Sequence, residues 1–136
     1  DSFATRGGFT RMGVDGVGTV FTRGVLIDVA AAKGQQTLPI SYEITVSDLE
    51  EALRRQGGTE LRPADAVLIN TGWGRLWGKE NARYMKGNPG IGVAAAEWLA
   101  KQDPILIGAD NELRDGARVW CDAQIPAGAV RFSPDL

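Results

Sequence analysis

Histidine is absent from this 136-residue sequence, and cysteine occurs once, at Cys121. Histidine is the side chain that most often serves as a general base or metal ligand near neutral pH, so its absence removes the commonest route to either role. Cys121 therefore has no imidazole to activate its thiol as a nucleophile. A lone cysteine also excludes an internal disulfide and favours a reducing compartment, from which we predict a cytoplasmic location.

A strong charge of one sign and a long apolar run are also missing. The chain carries 15 basic and 17 acidic residues, interspersed, for a net charge of −2. No basic patch marks a surface for nucleic acid or anionic lipid, and no run approaches the roughly 20 apolar residues that span a bilayer. The opening DSFATRGGFTRMG is too polar for a signal peptide. We therefore predict neither nucleic acid nor membrane as a partner.

Short apolar runs rich in valine, isoleucine and leucine recur along the chain. RGVLIDVAA (23–31), residues 65–70 and DPILIGADN (103–111) have the pattern of strands covered on both faces. A further short strand is expected at 42–45.

Helical patterns lie between these runs. SDLEEALRRQGG (47–58) predicts a helix with Ser47 and Glu50 as its capping box and a glycine at its end. NPGIGVAAAEWLAKQ (88–102) predicts another, beginning at Pro89, with apolar residues along one side. Strands alternating with helices indicate an α/β fold with a mixed, partly parallel sheet.

Polar residues follow the predicted strands, where ligands usually bind in parallel sheets. Asp28 and Asp110 would form a magnesium site if they lay at adjacent strand ends, or each could cap a turn or helix. GVDGVG (13–18) neither follows a strand nor opens a helix, so we assign it no phosphate-binding role.

The stretch VLINTGWGRLWGKENARY (67–84) joins a predicted strand to a loop rich in aromatic residues. Two tryptophans four residues apart would share one face of a helical turn, as core packing or as the wall of a pocket for a planar substrate. Arg75 or Arg83 could bind a substrate carboxylate, and Asn70 and Thr71 could orient the substrate through hydrogen bonds. The predicted substrate-binding residues are Thr71, Trp73, Arg75, Trp77 and Tyr84.

The segments TRGVLIDVAAAKG, YEITVSDLEEAL, ADAVLINTGWGRLWGKENARYMKGNPGIGVAAAEWLA and ILIGADN together resemble the cyclase-like metal-dependent hydrolases, the family of bacterial kynurenine formamidase and isatin hydrolase. The strand-end TGW with its aromatic loop, and PGIG before the next helix, carry most of the resemblance. It implies a swivelling β/β/α fold and hydrolysis of amide or related C–N bonds in small, often aromatic substrates, with zinc or manganese as the metal.

The metal-binding motifs of that family have no counterpart in this sequence. The resemblance implies a His-x-Gly-Thr-His-x-Asp motif upstream of TRGVLIDV, and a further histidine and a glutamate after GADN. A chain without histidine offers none of these imidazoles. We therefore assign no catalytic residue and no metal ligand, and expect this chain to bind no metal.

The resemblance covers the chain up to Asn111. We expect residues 1–111 to form a partial cyclase-like domain and residues 112–136 to be a divergent tail of uncertain structure. The chain then resembles an incomplete family member, cut at its amino end and diverted near residue 112. Sheet edges and an apolar face left without their neighbours predict self-association.

Three functions follow as hypotheses. The first is the middle portion of a hydrolase of cyclic or linear amides, of the kynurenine formamidase type, without activity of its own. The second is a non-catalytic module that binds a planar aromatic acid. The third is a magnesium-dependent α/β enzyme that uses Asp28 and Asp110.

Overall fold

The computed structural model describes residues 4–5, 8–9 and 19–111. The strands are β1 (Ala4–Thr5), β2 (Gly8–Phe9), β3 (Gly24–Asp28), β4 (Glu43–Ile44), β5 (Ala66–Asn70), β6 (Gly90–Ile91) and β7 (Leu106–Ala109). The helices are α1 (Val29–Ala32), α2 (Val46–Arg55), α3 (Asn81–Tyr84) and α4 (Val93–Ala100), and a 3-10 helix spans Trp73–Leu76. Cys121, the GVDGVG stretch and the predicted tail lie outside the described residues, so the predicted domain limits stay predictions.

Parallel strands dominate the described part of the chain. The main sheet has the order β3–β5–β7, with Val25 opposite Val67 and Val67 opposite Ile107. A second parallel pair joins β4 to β6, whereas β1 and β2 form an antiparallel pair. The predicted α/β class with partly parallel sheets is confirmed.

The core lies on one face of the main sheet. Ile27 and Val67 on the strands are fully buried, together with Leu49 and Ala52 on α2 and Leu99 on α4. In a strand, alternate side chains point to opposite faces, so these strand residues direct the same face toward the helices. Helix α2 turns its apolar side inward, and Arg54 and Arg55 occupy its last turn, where positive charge is favourable to the helix dipole.

The opposite face of the main sheet is open to solvent. Leu26, Leu68 and Leu106 are exposed to 49%, 43% and 44% of their surface. The prediction that these strands are covered on both faces is therefore wrong for the residues described. An apolar run alone cannot distinguish a strand covered on both faces from one covered on a single face.

Two predicted element limits are wrong because local hydrogen bonds override the apolar pattern. The first strand stops at Asp28, whose Oδ1 accepts a hydrogen bond from Ala31 N at 2.9 Å and so begins α1 within the run predicted as strand. Helix α2 uses Thr45 and Asp48 as its capping box, two residues before the predicted pair.

The predicted helix 88–102 begins later than expected. Gly90 and Ile91 pair with β4, and Gly92 is the N-cap of α4. A β-carbon at Gly92 would lie 2.1 Å from Oε1 of Glu43, so a larger residue there would displace the Glu43 side chain. Pro89 therefore precedes a short strand rather than a helix.

The amino end of the main sheet is held by a salt bridge. Arg23 donates to Asp65 through Nε at 2.9 Å and through Nη2 at 2.6 Å, and the Arg62 amide donates to the same carboxylate at 2.7 Å. The Arg23 hydrogen bonds hold the pKa of Asp65 at about 2, below its usual value of 3.8. Asp65 is buried, whereas the Arg23 side chain is 41% exposed.

A second buried carboxylate fixes the start of α2. Burial by itself raises the pKa of Asp48, but hydrogen bonds from Lys33, Thr45 and Tyr42 outweigh it and leave the pKa below its ordinary value. Both carboxylates are therefore stabilised in their ionised form.

Within the described ranges, no helix is both long enough and apolar enough to cross a membrane.

Candidate functional site

The carboxyl end of the main sheet carries a compact hydrogen-bond network around Asp110. Its Oδ1 accepts from the amide of Thr71 at 2.8 Å and from Thr71 Oγ1 at 2.6 Å, and its Oδ2 accepts from the amide of Gly74 at 3.0 Å. All three donors are neutral, so the carboxylate is held without a cationic partner in these bonds. The ends of β5 and β7 are thereby tied together.

Thr71 lies at the centre of this network and is almost fully buried. Besides donating to Asp110, its Oγ1 accepts from the amide of Trp73 and from Nδ2 of Asn111, both at 3.3 Å. Protein groups therefore satisfy both the donor and the acceptor capacity of the hydroxyl. Thr71 can position Asn111, but it has no proton left to donate directly to a substrate.

Steric constraints require glycine at the second position of the TGW sequence. Gly72 has a φ of 78°, and a β-carbon there would lie 2.0 Å from the carbonyl oxygen of Gln36. Only glycine combines a positive φ with this close approach at little cost. The chain can therefore turn sharply after β5 and deliver Trp73 into the interior.

Trp73 and Trp77 have different environments. Trp73 is fully buried, and its Nε1 donates to the carbonyl oxygen of Leu38 at 2.9 Å. Trp77 follows the 3-10 helix and is 65% exposed. Tyr84 contacts both rings, with centroids 6.3 Å from Trp73 and 5.2 Å from Trp77. Trp73 thus fixes the loop from within, and only Trp77 presents a ring to solvent.

The two arginines of the aromatic loop also differ. Arg83 donates to Thr37 Oγ1 at 3.2 Å and lies 3.5 Å from the Glu80 carboxylate. Arg75 is exposed on the 3-10 helix, and within residues 19–111 it has no acidic partner. The substrate-binding role predicted for Thr71, Trp73, Arg75, Trp77 and Tyr84 stays a prediction. Of the five, Arg75 and Trp77 are the most exposed to a ligand.

An apolar cleft of about 120 Å³ opens beside the Thr71 network, between the main sheet and the β4–β6 pair. It is lined by Ile44, Ile69, Thr71, Pro89, Gly90, Ile91, Ile107, Gly108, Ala109 and Asn111. Cavities of about 150 Å³ hold benzene in proteins, so this cleft has the size of roughly one aromatic ring.

Asn111 is the second polar residue at the cleft, and sequence reasoning did not select it. Its Nδ2 donates to the carbonyl oxygen of Pro89 at 2.8 Å and to Thr71 Oγ1. Both amide protons therefore have partners, and within the described part of the chain Oδ1 accepts no hydrogen bond. The signal in the sequence was its place directly after a strand, but the cleft depends on a pairing of β4 with β6 that no local pattern shows.

Asp28 and Asp110 do not lie at adjacent strand ends, contrary to the magnesium hypothesis. Strand β5 separates β3 from β7. Asp28 caps α1 and accepts from Nδ2 of Asn70 at 2.9 Å, while Asp110 holds the Thr71 network. Across the described ranges, no three histidine, cysteine, aspartate or glutamate residues group together as metal ligands. The geometry does not support a shared magnesium ion.

Sequence and fold comparisons converge on one kind of protein. The model of the Cyclase family matches residues 5–115 of the chain. Among proteins with curated descriptions, none matches.

Solved structures share the fold. A crystal structure described as that of a novel cyclase is 36% identical, with a TM-score of 0.58, over 65% of this chain and 31% of that chain. Isatin hydrolase A from Labrenzia aggregata, bound to benzyl benzoate, is 17% identical, with a TM-score of 0.51, over 74% of this chain and 38% of that chain. Isatin hydrolase A from Ralstonia solanacearum is 21% identical, with a TM-score of 0.52, over 74% of this chain and 37% of that chain. The chain thus spans about a third of the length of each of these proteins.

Proposed function

Because this chain belongs to the Cyclase family, whose model matches residues 5–115, we propose that it forms the substrate-binding part of a hydrolase that acts on a C–N bond of a small aromatic amide. The observation that carries the proposal is the apolar cleft beside Thr71 and Asn111, which has the size of one aromatic ring. The isatin hydrolases, which share the fold, support the reaction class.

Asn111 recognises the amide in this proposal. Its Nδ2 protons are held by Pro89 and Thr71, so the side-chain oxygen has a fixed direction and offers an acceptor. A substrate N–H is the group that such an acceptor binds. Thr71 acts through Asn111 as a positioning residue, while the cleft walls hold the ring. Arg75 and Trp77 are proposed contacts for the outer part of the ligand.

Zinc or manganese is the metal that the resemblance implies, and this chain does not fit either ion. Catalytic zinc sites use about three protein ligands, most often with histidine among them. The chain contains no histidine, and no suitable cluster occurs among the residues that the structure describes. We therefore derive no hydrolytic step and propose that this chain binds substrate without turning it over.

The test compares isatin with N-methylisatin, which lacks the N–H, by fluorescence titration of the tryptophans. We expect isatin to bind more tightly than N-methylisatin, and Asn111→Leu to abolish that difference. Ala109→Phe fills the cleft and is expected to weaken isatin binding by about tenfold or more, as for loss of one well-packed ring. Ala94→Phe, on the exposed side of α4, adds the same ring outside the cleft and serves as the matched control.

Turnover is measured in parallel with isatin and an N-formyl aromatic amine, each with added zinc or manganese. Binding without turnover supports the proposal. Metal-dependent hydrolysis would show that ligands other than histidine suffice. Equal binding by wild type, Ala109→Phe and Ala94→Phe would remove the cleft as the substrate site.

A non-catalytic module that binds a planar aromatic acid is the second candidate, and the exposed Arg75, which has no acidic partner within residues 19–111, favours it. Benzoate, a planar aromatic acid, distinguishes the two. A binding module for such acids should bind benzoate more tightly than isatin and lose that preference in Arg75→Gln, because the Arg75 guanidinium is exposed and, unlike that of Arg83, is not paired with a carboxylate within residues 19–111.

A further inference from the structure

Asp110 joins the cleft to the aromatic loop through its two carboxylate oxygens. Oδ1 accepts from the amide and the hydroxyl of Thr71, which lines the cleft, at 2.8 and 2.6 Å. Oδ2 accepts from the amide of Gly74, in the 3-10 helix of the loop, at 3.0 Å. A β-carbon at Gly74 would lie 3.1 Å from the carbonyl oxygen of Asp110, so the two segments are in close contact. One side chain therefore contacts both parts of the proposed substrate site.

The partners of the Thr71 hydroxyl determine the direction of its proton. An ionised carboxylate only accepts hydrogen bonds, and a backbone amide only donates them. Asp110 Oδ1 therefore receives the hydroxyl proton, and the amide of Trp73 occupies one acceptor position on Oγ1. The second lone pair of the hydroxyl oxygen faces Asn111. Only a donor can bond to that lone pair.

Asn111 must consequently turn its amide nitrogen toward Thr71. Its Nδ2 lies 3.3 Å from Thr71 Oγ1 and 2.8 Å from the carbonyl oxygen of Pro89, which favours the same orientation. The oxygen and nitrogen of an asparagine amide are nearly equal in shape, so the hydrogen-bond partners decide which of them faces a ligand. If Asp110 did not hold the Thr71 proton, the hydroxyl could donate to Oδ1 of a reversed Asn111. Asp110 removes that alternative.

We propose that Asp110 is a positioning residue that makes the cleft selective for ligands with an N–H. It holds the proton of Thr71, and Thr71 in turn holds Asn111 with its nitrogen bound to the protein and its oxygen available to the ligand. This inference rests on the proposed function, in which Asn111 Oδ1 binds the N–H of the substrate. A ligand with an oxygen at that position places two acceptors opposite each other, and neither gains a hydrogen bond.

Oxindole and 2-coumaranone test the selectivity, because they differ in having N–H or oxygen at the same ring position. Isothermal titration calorimetry measures both dissociation constants. We expect wild type to prefer oxindole, and Asp110→Ala to lower that preference by about two- to tenfold, the scale of one neutral hydrogen bond. Asp28→Ala is the matched control. It removes a carboxylate at the end of β3 that accepts from Ala31 and Asn70 instead, and it should keep the preference.

Asp110→Asn separates the positioning role from a general loss of structure. Its side-chain oxygen can still accept from both Thr71 donors, while its nitrogen replaces the acceptor of Gly74. We therefore expect this variant to bind both probes less tightly but to regain the preference that Asp110→Ala loses. An unchanged preference in Asp110→Ala, or equal losses of preference in the two variants, would overturn the proposal.

NMR spectra of the isotope-labelled protein without ligand distinguish failure of this inference from failure of the proposed function. In wild type, the Asn111 amide protons should show cross-relaxation with Thr71, and Asp110→Ala should weaken it because the amide can rotate. If neither probe binds wild type, the proposed function fails, and these signals decide the role of Asp110.

The wild-type hydroxyl proton of Thr71 decides if Asp110→Ala does not fold. A scalar coupling across the hydrogen bond to the carboxylate carbon of Asp110 would support the proposal. A coupling to the side-chain carbonyl carbon of Asn111 in its place, or a hydroxyl proton that exchanges freely with water, would contradict it.

Discussion

The two ends of the main sheet are each held by a buried or partly buried aspartate, but by opposite means. At the amino end, Asp65 is paired with Arg23, and the pair lies at the surface on the arginine side. At the carboxyl end, Asp110 is held by two backbone amides and the Thr71 hydroxyl, all neutral. The difference shows that the amino end is closed by charge pairing, whereas the carboxyl end is built from polar groups that also shape a cleft.

The largest expected effect on the free energy of unfolding is at the carboxyl end, in the aromatic loop. Trp73 on the interior side of the loop is compared with Trp77 on its surface side. Trp73→Ala removes a fully buried ring and should lower the free energy of unfolding by about 3–5 kcal/mol. Trp77→Ala removes an exposed ring with one edge-on contact to Tyr84 and should cost about 1 kcal/mol or less. Urea unfolding followed by circular dichroism measures both.

Trp73→Phe separates the ring from its hydrogen bond to Leu38 if Trp73→Ala does not fold. It should cost about 1–3 kcal/mol, mainly because the Leu38 carbonyl loses its donor. Equal costs for the alanine variants at 73 and 77 would contradict the division of the loop into an interior and a surface side.

The two aspartates provide the second comparison. Asp110→Ala leaves three donors without their acceptor, and we expect a loss of about 2–4 kcal/mol because Thr71 is buried and water reaches it poorly. Asp65→Ala should cost less, since the Arg23 side chain is 41% exposed and can be hydrated after the change. Chemical unfolding of the two variants under identical conditions measures the order, and a larger loss for Asp65→Ala would reverse our view of the two ends.

The smallest effect concerns pH at the amino end. The folded-state pKa of Asp65 is about 2, below the usual 3.8, so its contribution to stability is fully present above about pH 4 and is lost as the pH falls toward 2. Arg23→Gln removes the main cause of the lowered pKa and should make stability fall less steeply across that interval.

Arg75→Gln is the control, because Arg75 has no acidic partner within residues 19–111. The lowered pKa of Asp48 also makes stability fall with pH, but it does so equally in wild type, Arg23→Gln and Arg75→Gln. Its contribution therefore cancels when their stabilities are compared. Identical acid limbs for wild type and Arg23→Gln in urea unfolding between pH 5 and about 2 would show that the pair does not lower the pKa of Asp65.

Sequence patterns predicted those parts of the fold that depend on local periodicity. The apolar runs located β3, β5 and β7, and the amphipathic pattern located α2. The limits differ from the predicted ones where a single side chain caps a helix. Asp28 is the N-cap of a helix that begins within an apolar run, and Thr45, rather than Ser47, is the N-cap of α2. Such choices depend on which of several competent residues makes the bond.

The candidate site was harder to predict because it depends on contacts between distant segments. The TGW sequence marked the correct strand end, yet nothing local indicated that Trp73 is buried against Leu38 while Trp77 is exposed. The cleft depends on the pairing of β4 with β6. Each of these strands has only two residues, which is too short to give a recognisable strand pattern in the sequence. Asn111 gained its role from partners 22 and 40 residues away.

The contact at Gly72 has a mechanical consequence. The segment after α1 and the turn after β5 are joined at three points: the Leu38 amide to Thr71 O, the Trp73 indole to Leu38 O, and the backbone of Gly72 against Gln36. Because these contacts fix the two loops to each other, we expect residues 36–38 and Thr71 to move together. A substitution at residues 36–38 should therefore alter the cleft that Thr71 lines.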